Sequence, residues 1–341
     1  MTVPLLEAVG LGKAFPLRGG LFGGVKGEVK AVTDVSFKLA KGEVFGLAGE
    51  SGSGKSTIGR CVTGLTPISS GRIRFDGADI ANLGPKGLRP YRGRIQMVFQ
   101  DPYASLNPRH RVGAAITTGM IMQGISKAKA RDRAVELLSL VGLGPEALDR
   151  YPHEFSGGQR QRIGIARALA AEPELIVCDE AVSALDVSVK AQIVNLLQDL
   201  QQQFGLALLF ISHDLAIVEH MTHRVAVMYL GKIVEIAPRQ QIFTAPRHPY
   251  TKALLSAVPV ADPGAVRSPM ILKGDVPSPI NPPSGCRFHT RCPFVFDRCR
   301  SEEPELRSAG TGQRVACHLE VLPEGPGPAP RQAPSISTPV E

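Results

Sequence analysis

Residues 49–56 have the types and spacing of a phosphate-binding loop. Their sequence, Gly-Glu-Ser-Gly-Ser-Gly-Lys-Ser, fits the pattern G-x-x-x-x-G-K-[ST]. Because glycine carries no Cβ, the backbone N–H groups of such a loop can turn inward around phosphate oxygens. Lys55 is then placed to reach the β- and γ-phosphates of a nucleotide, and the Ser56 hydroxyl to ligate Mg²⁺.

The elements on either side of this loop support the same interpretation. The apolar run 44–48 predicts a buried strand leading into it, and residues 56–62 predict a helix leading out. The helix N-terminus adds a partial positive charge beside bound phosphate. The alternative, a Gly/Ser-rich loop that binds nothing, is disfavoured because both flanks are present.

A pair of acids ends a second apolar run, residues 175–178. This pattern predicts a buried parallel strand that delivers Asp179 and Glu180 to its C-terminal edge, where open α/β sheets bind ligands. Asp179 can hold the Mg²⁺ shell through water, and Glu180 can polarise an attacking water as general base. Taken alone, the motif leaves open a strand that ends in a solvated acidic turn.

Three further polar signals follow predicted core elements. Ser156 is a natural N-cap, and its Ser-Gly-Gly turn opens a helix with apolar periodicity to residue 170. Gln100 ends the run 95–99, and His213 follows the run 208–212. A lone residue of any of these types is more often structural than catalytic. Here, however, each is predicted to lie at the end of a core element, as the phosphate-binding loop does.

In this order and context, the motifs resemble those of the ATP-binding subunit of ABC transporters, over about residues 5 to 240. The resemblance implies an α/β P-loop NTPase (RecA-like) core with an antiparallel β subdomain and a helical subdomain. Residues 49–57 then match the Walker A loop, and 183–186 match the D-loop. Phe155 lies at the position where Leu is commonest in the signature motif. It precedes Ser156, the residue expected to contact phosphate.

The resemblance also implies roles for individual residues. Predicted nucleotide contacts within the chain are Phe15, Gly49, Glu50, Ser51, Gly52, Ser53, Gly54, Lys55, Ser56, Thr57, Gln100 and Asp179. Predicted contacts to ATP on a second subunit are Ser156, Gly157, Gly158, Gln159 and Asp186. The predicted catalytic residues are Glu180, His213, Lys55 and Gln100. The predicted Mg²⁺ ligands are Ser56, Gln100 and Asp179. Phe15 is either an adenine-stacking ring or a packing residue.

A mechanism and a set of partners follow from the same resemblance. Two ATP molecules are expected at an interface with a second ATPase subunit, which makes a heterodimer or, alternatively, a homodimer. ATP binding closes this dimer and hydrolysis opens it. The expected assembly adds two transmembrane permeases and an extracytoplasmic solute-binding protein.

Composition restricts the remaining classes. The chain has 341 residues, 43% of them hydrophobic, which suits two domains. No apolar run is long enough to span a bilayer, and the N-terminus lacks a basic region, so we expect a peripheral protein at the cytoplasmic face of the inner membrane. The net charge of +8 fits either a solvated basic surface or a protein held beneath an anionic membrane leaflet. The absence of Trp argues against a surface on which nucleic-acid bases stack.

Secondary-structure signals divide the chain more finely. Residues 5–48 predict an antiparallel β subdomain, and 105–171 a helical subdomain that includes an amphipathic helix over 127–141. Residues 224–237 predict a hairpin that turns at Gly231-Lys232. The Pro-rich stretch 322–341 predicts a disordered tail.

The region after residue 240 narrows the subfamily. Segments 101–109, 248–255 and 274–286 look like those of ATP-binding subunits of oligopeptide, dipeptide and nickel importers, and the Gly19–Gly23 insertion looks like the F-type subunit. We therefore expect an ATP-binding domain over 1–240, a small Cys-containing domain over 241–321, and peptide import as the function. The alternatives are import of nickel or another small solute, a soluble ABC ATPase acting on ribosomes or DNA, and a non-hydrolysing regulatory protein. The single Walker A motif argues against the soluble class, and Glu180 with His213 argues against the regulatory one.

Four of the six cysteines lie close together in sequence with the spacing C-x5-C-x6-C-x17-C; they are Cys286, Cys292, Cys299 and Cys317. In a reducing compartment such a group suggests a metal site rather than disulfides. The subfamily resemblance implies a [4Fe–4S] cluster as a structural staple, with zinc and free thiols as alternatives. We interpret Cys61 and Cys178 as packing residues, and His289 and His318 as bystanders.

Overall fold

The computed structural model describes residues 3–19, 24–101, 105–258 and 270–323. Three predictions fall wholly or partly outside these residues. They concern most of the glycine-rich insertion (20–23), the segment 102–104 after Gln100, and the Pro-rich tail from residue 324 onward.

The strands are β1 (Leu6–Gly19), β2 (Gly24–Leu39), β3 (Val44–Ala48), β4 (Ser70–Phe75), β5 (Ala78–Asp79), β6 (Ile95–Val98), β7 (Leu175–Asp179), β8 (Ala207–Ser212), β9 (Arg224–Tyr229), β10 (Lys232–Pro238), β11 (Arg307–Gly310) and β12 (Gln313–Val315). The α-helices are α1 (Lys55–Val62), α2 (Val112–Met122), α3 (Lys127–Leu140), α4 (Gly157–Leu169), α5 (Val187–Phe204), α6 (Leu215–Met221), α7 (Arg239–Thr244), α8 (Pro249–Ser256) and α9 (Asp297–Ser301). Two short 3₁₀ helices cover Pro145–Asp149 and Pro152–Glu154.

The central sheet has the strand order β11-β12-β10-β9-β3-β8-β7-β6. Strands β9, β3, β8, β7 and β6 run parallel to one another, while β10, β12 and β11 are antiparallel additions at the β9 side. Every residue of β3, β7 and β8 is buried, as the continuous apolar runs predict for a sheet covered on both faces. The C-terminal ends of these strands therefore deliver the predicted polar residues to one edge.

The antiparallel sheet differs in extent from its prediction over 5–48. It has the order β2-β1-β4-β5, so it ends at Leu39 on one side and takes strands from residues 70–79 on the other. The prediction was wrong in assigning residues 44–48 to this subdomain, because their run of large apolar residues is buried between parallel neighbours β8 and β9.

The helical region follows its prediction closely. Helix α3 begins at Lys127, where the Ser126 hydroxyl caps the Lys129 N–H, and the chain turns at Gly142, whose φ of 73° suits glycine. The β9–β10 hairpin forms as predicted, but it turns at residues 230–231, one residue before the predicted Gly231-Lys232, because Lys232 already pairs with Tyr229.

The region after residue 240 extends the core sheet. Strand β12 pairs with β10 through Glu235 and Val315, and β11 pairs with β12. This part of the chain is therefore joined to the central sheet by backbone hydrogen bonds. Within the described ranges, no helix combines the length and the apolar character needed to cross a bilayer.

Candidate nucleotide-binding site

The phosphate-binding loop lies between β3 and α1, as predicted. The Lys55 side chain is 3% exposed and points back into the loop, where its ammonium donates to the Gly49 and Glu50 carbonyls, both at 2.8 Å. Burial lowers the pKa of Lys55, while the nearby carboxylates of Glu180 and Asp179 act in the opposite direction. The loop thus holds a cation at its centre, which is suited to polyphosphate.

Two glycines of the loop are required by close backbone approaches. Gly49 has φ 141°, and a Cβ there would lie 2.3 Å from the Met228 carbonyl oxygen. Gly54 has φ 102°, and its Cβ would lie 2.2 Å from the Ala31 carbonyl oxygen. The loop is therefore packed between β2 and the end of β9 with no room for side chains at these positions.

Ser56 and Asp179 meet, although 123 residues separate them. The Ser56 hydroxyl donates to Asp179 Oδ1 at 2.7 Å. Burial raises the pKa of Asp179, and the hydrogen bond from Ser56 opposes this rise. A hydroxyl and a carboxylate at this distance form the type of oxygen set that Mg²⁺ prefers.

Glu180 is held in place by two residues predicted from sequence. Gln100 Nε2 donates to Glu180 Oε2 at 3.0 Å, and His213 Nδ1 lies 3.3 Å from Oε1. Glu180 has φ 47°, an uncommon backbone conformation for its residue type, held by a hydrogen bond from its N–H to the Ile211 carbonyl at 3.0 Å. Strained backbone of this kind is concentrated at functional sites, which fits the predicted catalytic role.

The signature segment forms the start of α4. Ser156 Oγ accepts from the Gln159 N–H at 3.3 Å, and Gln159 Oε1 accepts from the Ser156 N–H at 3.0 Å, which is a capping box. Gly158 lies against α5, where a Cβ would be 2.5 Å from Val189 Cγ1. Asp186 is the N-cap residue of α5, so the signature and D-loop are adjacent. Among the described residues, no hydrogen bond joins Ser156 or Gln159 to the Walker A loop of the same chain.

Phe15 lies in β1, opposite Val29, and is 40% exposed. The Lys13 ammonium lies 4.8 Å from the centre of its ring. A half-exposed ring with a cation beside it has a face available for stacking, so adenine stacking stays a prediction.

Sequence reasoning missed two residues that contact the loop from beyond residue 240. Arg291 donates to the Glu50 carboxylate through both terminal nitrogens, and the Tyr250 hydroxyl accepts the Glu50 N–H. Tyr250 lies in the segment used to identify the subfamily, but its spacing carries no signal of contact with Glu50.

The cysteines predicted as a cluster come together in space. Cys286, Cys292, Cys299 and Cys317 line one small cavity, with His289 and His318 beside them. Burial raises the pKa of Cys286 to about 11 and of Cys292 to about 12. In the part of the chain that the structure describes, however, no three His, Cys, Asp or Glu side chains are close enough together to hold a metal ion. Cys61 and Cys178 are buried in the core.

Comparison with known proteins places this site in a family. A profile described as "ABC transporter" matches residues 32–183, and one described as "Oligopeptide/dipeptide transporter, C-terminal region" matches residues 234–299. The chain is 55% identical to the "Probable peptide ABC transporter ATP-binding protein y4tS" of Sinorhizobium fredii, over 94% of this chain and 91% of that one. This chain belongs to the ABC transporter ATP-binding proteins of the oligopeptide/dipeptide type.

Other relatives of this ABC ATPase agree with the subfamily. It is 53% identical to the "Oligopeptide transport ATP-binding protein AppF" of Bacillus subtilis, over 92% of this chain and 97% of that one. It is 47% identical to the "Dipeptide transport ATP-binding protein DppF" of Escherichia coli, over 95% and 96% of the two chains. These relatives confirm the predicted resemblance to F-type subunits.

A solved structure confirms the cassette fold. The dimeric post-hydrolysis state of the ATP-binding cassette MJ0796, bound to ADP and Pi, superposes with a TM-score of 0.62 at 26% identity. The match covers 69% of this ABC ATPase and 98% of that chain.

Proposed function

We propose that this ABC ATPase energises the import of peptides by hydrolysing ATP beneath two membrane permeases. The observation that carries the proposal is the convergence of Lys55, Ser56, Asp179 and Glu180 at one sheet edge, in a chain whose C-terminal region is of the oligopeptide/dipeptide type. Import of nickel or another small solute is the alternative cargo. A soluble, non-transport ABC ATPase is the second alternative, and the peptide-type C-terminal region disfavours it.

In the proposed mechanism, Glu180 accepts a proton from the attacking water. Gln100 and His213 fix its two oxygens at 3.0 and 3.3 Å, which orients the carboxylate for this task. Lys55 and the loop N–H groups stabilise the charge that develops on the transferring phosphoryl group. Catalysis is then positioning combined with electrostatic stabilisation.

Ser56, Asp179 and Gln100 are the residues that would hold Mg²⁺. The Ser56–Asp179 hydrogen bond of 2.7 Å fits this donor set, since hydroxyl, carboxylate and amide oxygens are hard ligands. When bound, Mg²⁺ neutralises charge on the β- and γ-phosphates.

The signature segment and Asp186 would complete the site of a second ATPase subunit. Support comes from the N-terminus of α4, whose partial positive charge favours an anion, and from its position beside the D-loop. We infer a heterodimer with a related ATPase, with a homodimer as the alternative, and a solute-binding protein outside the membrane.

We place the chain at the cytoplasmic face of the membrane as a peripheral subunit. Its permease contact is expected around residues 100–109 and the helical subdomain. We further propose the division into an ATP-binding domain (1–240), a Cys-containing C-terminal domain (241–321) and a tail (322–341).

Affinity capture from detergent-solubilised membranes of the host, followed by mass spectrometry, tests this proposal. Recovery of two polytopic permeases and a second ATPase is the expected result, and peptide binding by the associated solute-binding protein identifies the cargo. Recovery of only ribosomal or DNA-repair proteins would overturn the transport role, and nickel binding by the associated protein would redirect the cargo.

We also propose that the four clustered cysteines hold a [4Fe–4S] cluster that staples the C-terminal region. All four line one cavity, and thiolate is the ligand that such clusters prefer. Their present separation, too wide for a metal ion, means that the thiols would have to draw together on binding. Iron and acid-labile sulfide assays on anaerobically purified protein test this, with four iron atoms per chain expected; zinc without iron, or neither, would refute the cluster.

A further inference from the structure

Two residues from beyond position 240 hold Glu50, the second residue of the phosphate-binding loop. The Arg291 guanidinium makes a bidentate contact with its carboxylate, Nη1 to Oε2 at 2.9 Å and Nη2 to Oε1 at 3.3 Å. The Tyr250 hydroxyl accepts the Glu50 N–H at 2.9 Å. The loop is thus held at both the backbone and the side chain of one residue, by a part of the chain outside the Walker motifs.

The contacting groups are themselves buried against aromatic rings. The Arg291 side chain is 9% exposed, and its guanidinium lies 6.0 Å from the centre of the Tyr229 ring. Tyr250 is fully buried, and its ring centre lies 5.4 Å from that of Phe288. The backbone N–H of Arg291 in turn donates to the Phe288 carbonyl at 3.0 Å. A fork-shaped donor fixed in this way sets the geometry of its carboxylate partner.

Glu50 is an unusual neighbour for bound polyphosphate because its charge has the wrong sign. Its carbonyl accepts from the Lys55 ammonium at 2.8 Å, so its backbone is part of the cradle. Without a cation beside it, the Glu50 carboxylate would repel the phosphates of ATP. Arg291 offsets that charge with a guanidinium at hydrogen-bond distance from both carboxylate oxygens.

We propose that Arg291 is a positioning residue of the ATP site, acting through Glu50 to shape the phosphate-binding loop and to cancel its negative charge. This inference rests on the proposed assignment of residues 49–57 as the ATP-binding loop. Because the loop contacts the phosphates both before and during the reaction, loss of Arg291 is expected to raise KM for ATP more than it lowers kcat.

The chain supplies a matched control for this test. Arg298 also directly precedes a cysteine of the cluster, but it pairs with Glu302 at the surface, where its side chain is 59% exposed. Arg291→Gln and Arg298→Gln therefore remove the same charge from the same segment, and only the first removes a contact with the loop. Arg291→Lys keeps the charge and loses the bidentate geometry.

ATP affinity is measured by titration calorimetry on the full-length chain, and KM and kcat are measured on the captured transporter. Arg291→Gln is expected to weaken ATP binding by about tenfold, Arg291→Lys by about threefold, and Arg298→Gln not at all. Wild-type affinity and KM in folded Arg291→Gln would overturn the proposal. If Arg291→Gln does not fold, Arg291→Lys decides the test, and wild-type affinity in that variant overturns the proposal.

A second variant separates positioning from a merely structural role. In a Glu50→Gln background the repulsive carboxylate is gone, so adding Arg291→Gln should weaken ATP binding by less than twofold further. An undiminished tenfold loss in that background would mean that Arg291 acts by stabilising the fold and not through Glu50. Lys55→Ala separates a failure of the loop assignment from a failure of this inference. Retained ATP binding in Lys55→Ala would refute the assignment of the loop itself. Wild-type ATP affinity in Arg291→Gln, together with lost affinity in Lys55→Ala, would refute only the role of Arg291.

Discussion

The ATP-binding core and the region after residue 240 reach the same loop in different ways. In the core, Asp179 and Glu180 lie at the end of the buried strand β7, and Lys55 is the first residue of α1 after the loop that follows β3. These residues supply the groups to which the proposed mechanism assigns the chemistry. Arg291 and Tyr250 come from loops and a short helix, and they supply groups that hold the loop. The chemistry is therefore encoded in local motifs, while part of its support is encoded far away along the chain.

The two regions are also stabilised differently. The core sheet is held by continuous apolar strands, whereas the later region depends on a few central residues. Phe288 packs its ring against Tyr229 and Tyr250, and Glu235 accepts hydrogen bonds from the Arg247 N–H at 2.7 Å and the His248 N–H at 3.0 Å. Each such residue joins the later region to the core, so single substitutions can test whether the two regions form one unit.

The largest effect is expected from the core side of the comparison. Lys55→Ala removes the buried cation from the loop, so ATP affinity should fall by about 1,000-fold, or about 4 kcal/mol. Calorimetric titration of the full-length chain measures this, with the exposed Lys86→Ala as control. Equal ATP affinities in the two variants would show that the core loop does not bind ATP through Lys55.

A smaller effect is expected from the packing that joins the regions. Phe288→Ala leaves a cavity between Tyr229 and Tyr250, so the free energy of unfolding should fall by about 3 kcal/mol. The control is Phe296→Ala, at a ring 40% exposed, which should lower it by less than about 1 kcal/mol. Urea denaturation of the whole chain decides: a separate early transition in Phe288→Ala, with the core unaffected, would show that the regions unfold independently.

The smallest effect concerns pH. Burial raises the pKa of Glu235, and its hydrogen bonds oppose that rise only in part. Since the folded state then holds this proton more tightly than the unfolded state, Glu235 should make stability decline as pH rises above the unfolded value near 4.5.

Glu235→Gln removes that titration and should flatten the decline of unfolding free energy with pH above about 4.5. The exposed Glu320→Gln should leave the slope as in the wild type. The same slope in both variants would show that Glu235 does not titrate differently in the two states.

Much of the nucleotide site could be predicted because each residue belongs to a short motif next to a strand. Ser56 and Asp179 are 123 residues apart, yet parallel strands that end at one edge bring them to 2.7 Å. The same logic placed Gln100 and His213 on either side of Glu180. The helical region was predictable from its caps and glycines, as at Ser126 and Gly142.

What escaped prediction depends on pairing between distant segments. Arg291 and Glu50 are 241 residues apart, and neither shows a local pattern that names the other. Strand β11 is mostly exposed and β12 has only three residues, so neither is long enough for period-two patterning to reveal it. Both strands depend on β10, which offers an edge to pair with. The run 44–48 was placed in the wrong subdomain because proximity along the chain to β2 does not decide which sheet a strand joins.

The central claim, that Glu180 drives ATP hydrolysis for transport, is tested most directly in the captured complex reconstituted into proteoliposomes. ATP hydrolysis and peptide uptake are measured together for the wild type, for Glu180→Gln and for the surface variant Glu136→Gln, whose side chain is 62% exposed. The account predicts that Glu180→Gln binds ATP normally while hydrolysis and uptake both fall by about 1,000-fold, and that Glu136→Gln behaves as the wild type. Near-normal turnover in Glu180→Gln would contradict the account.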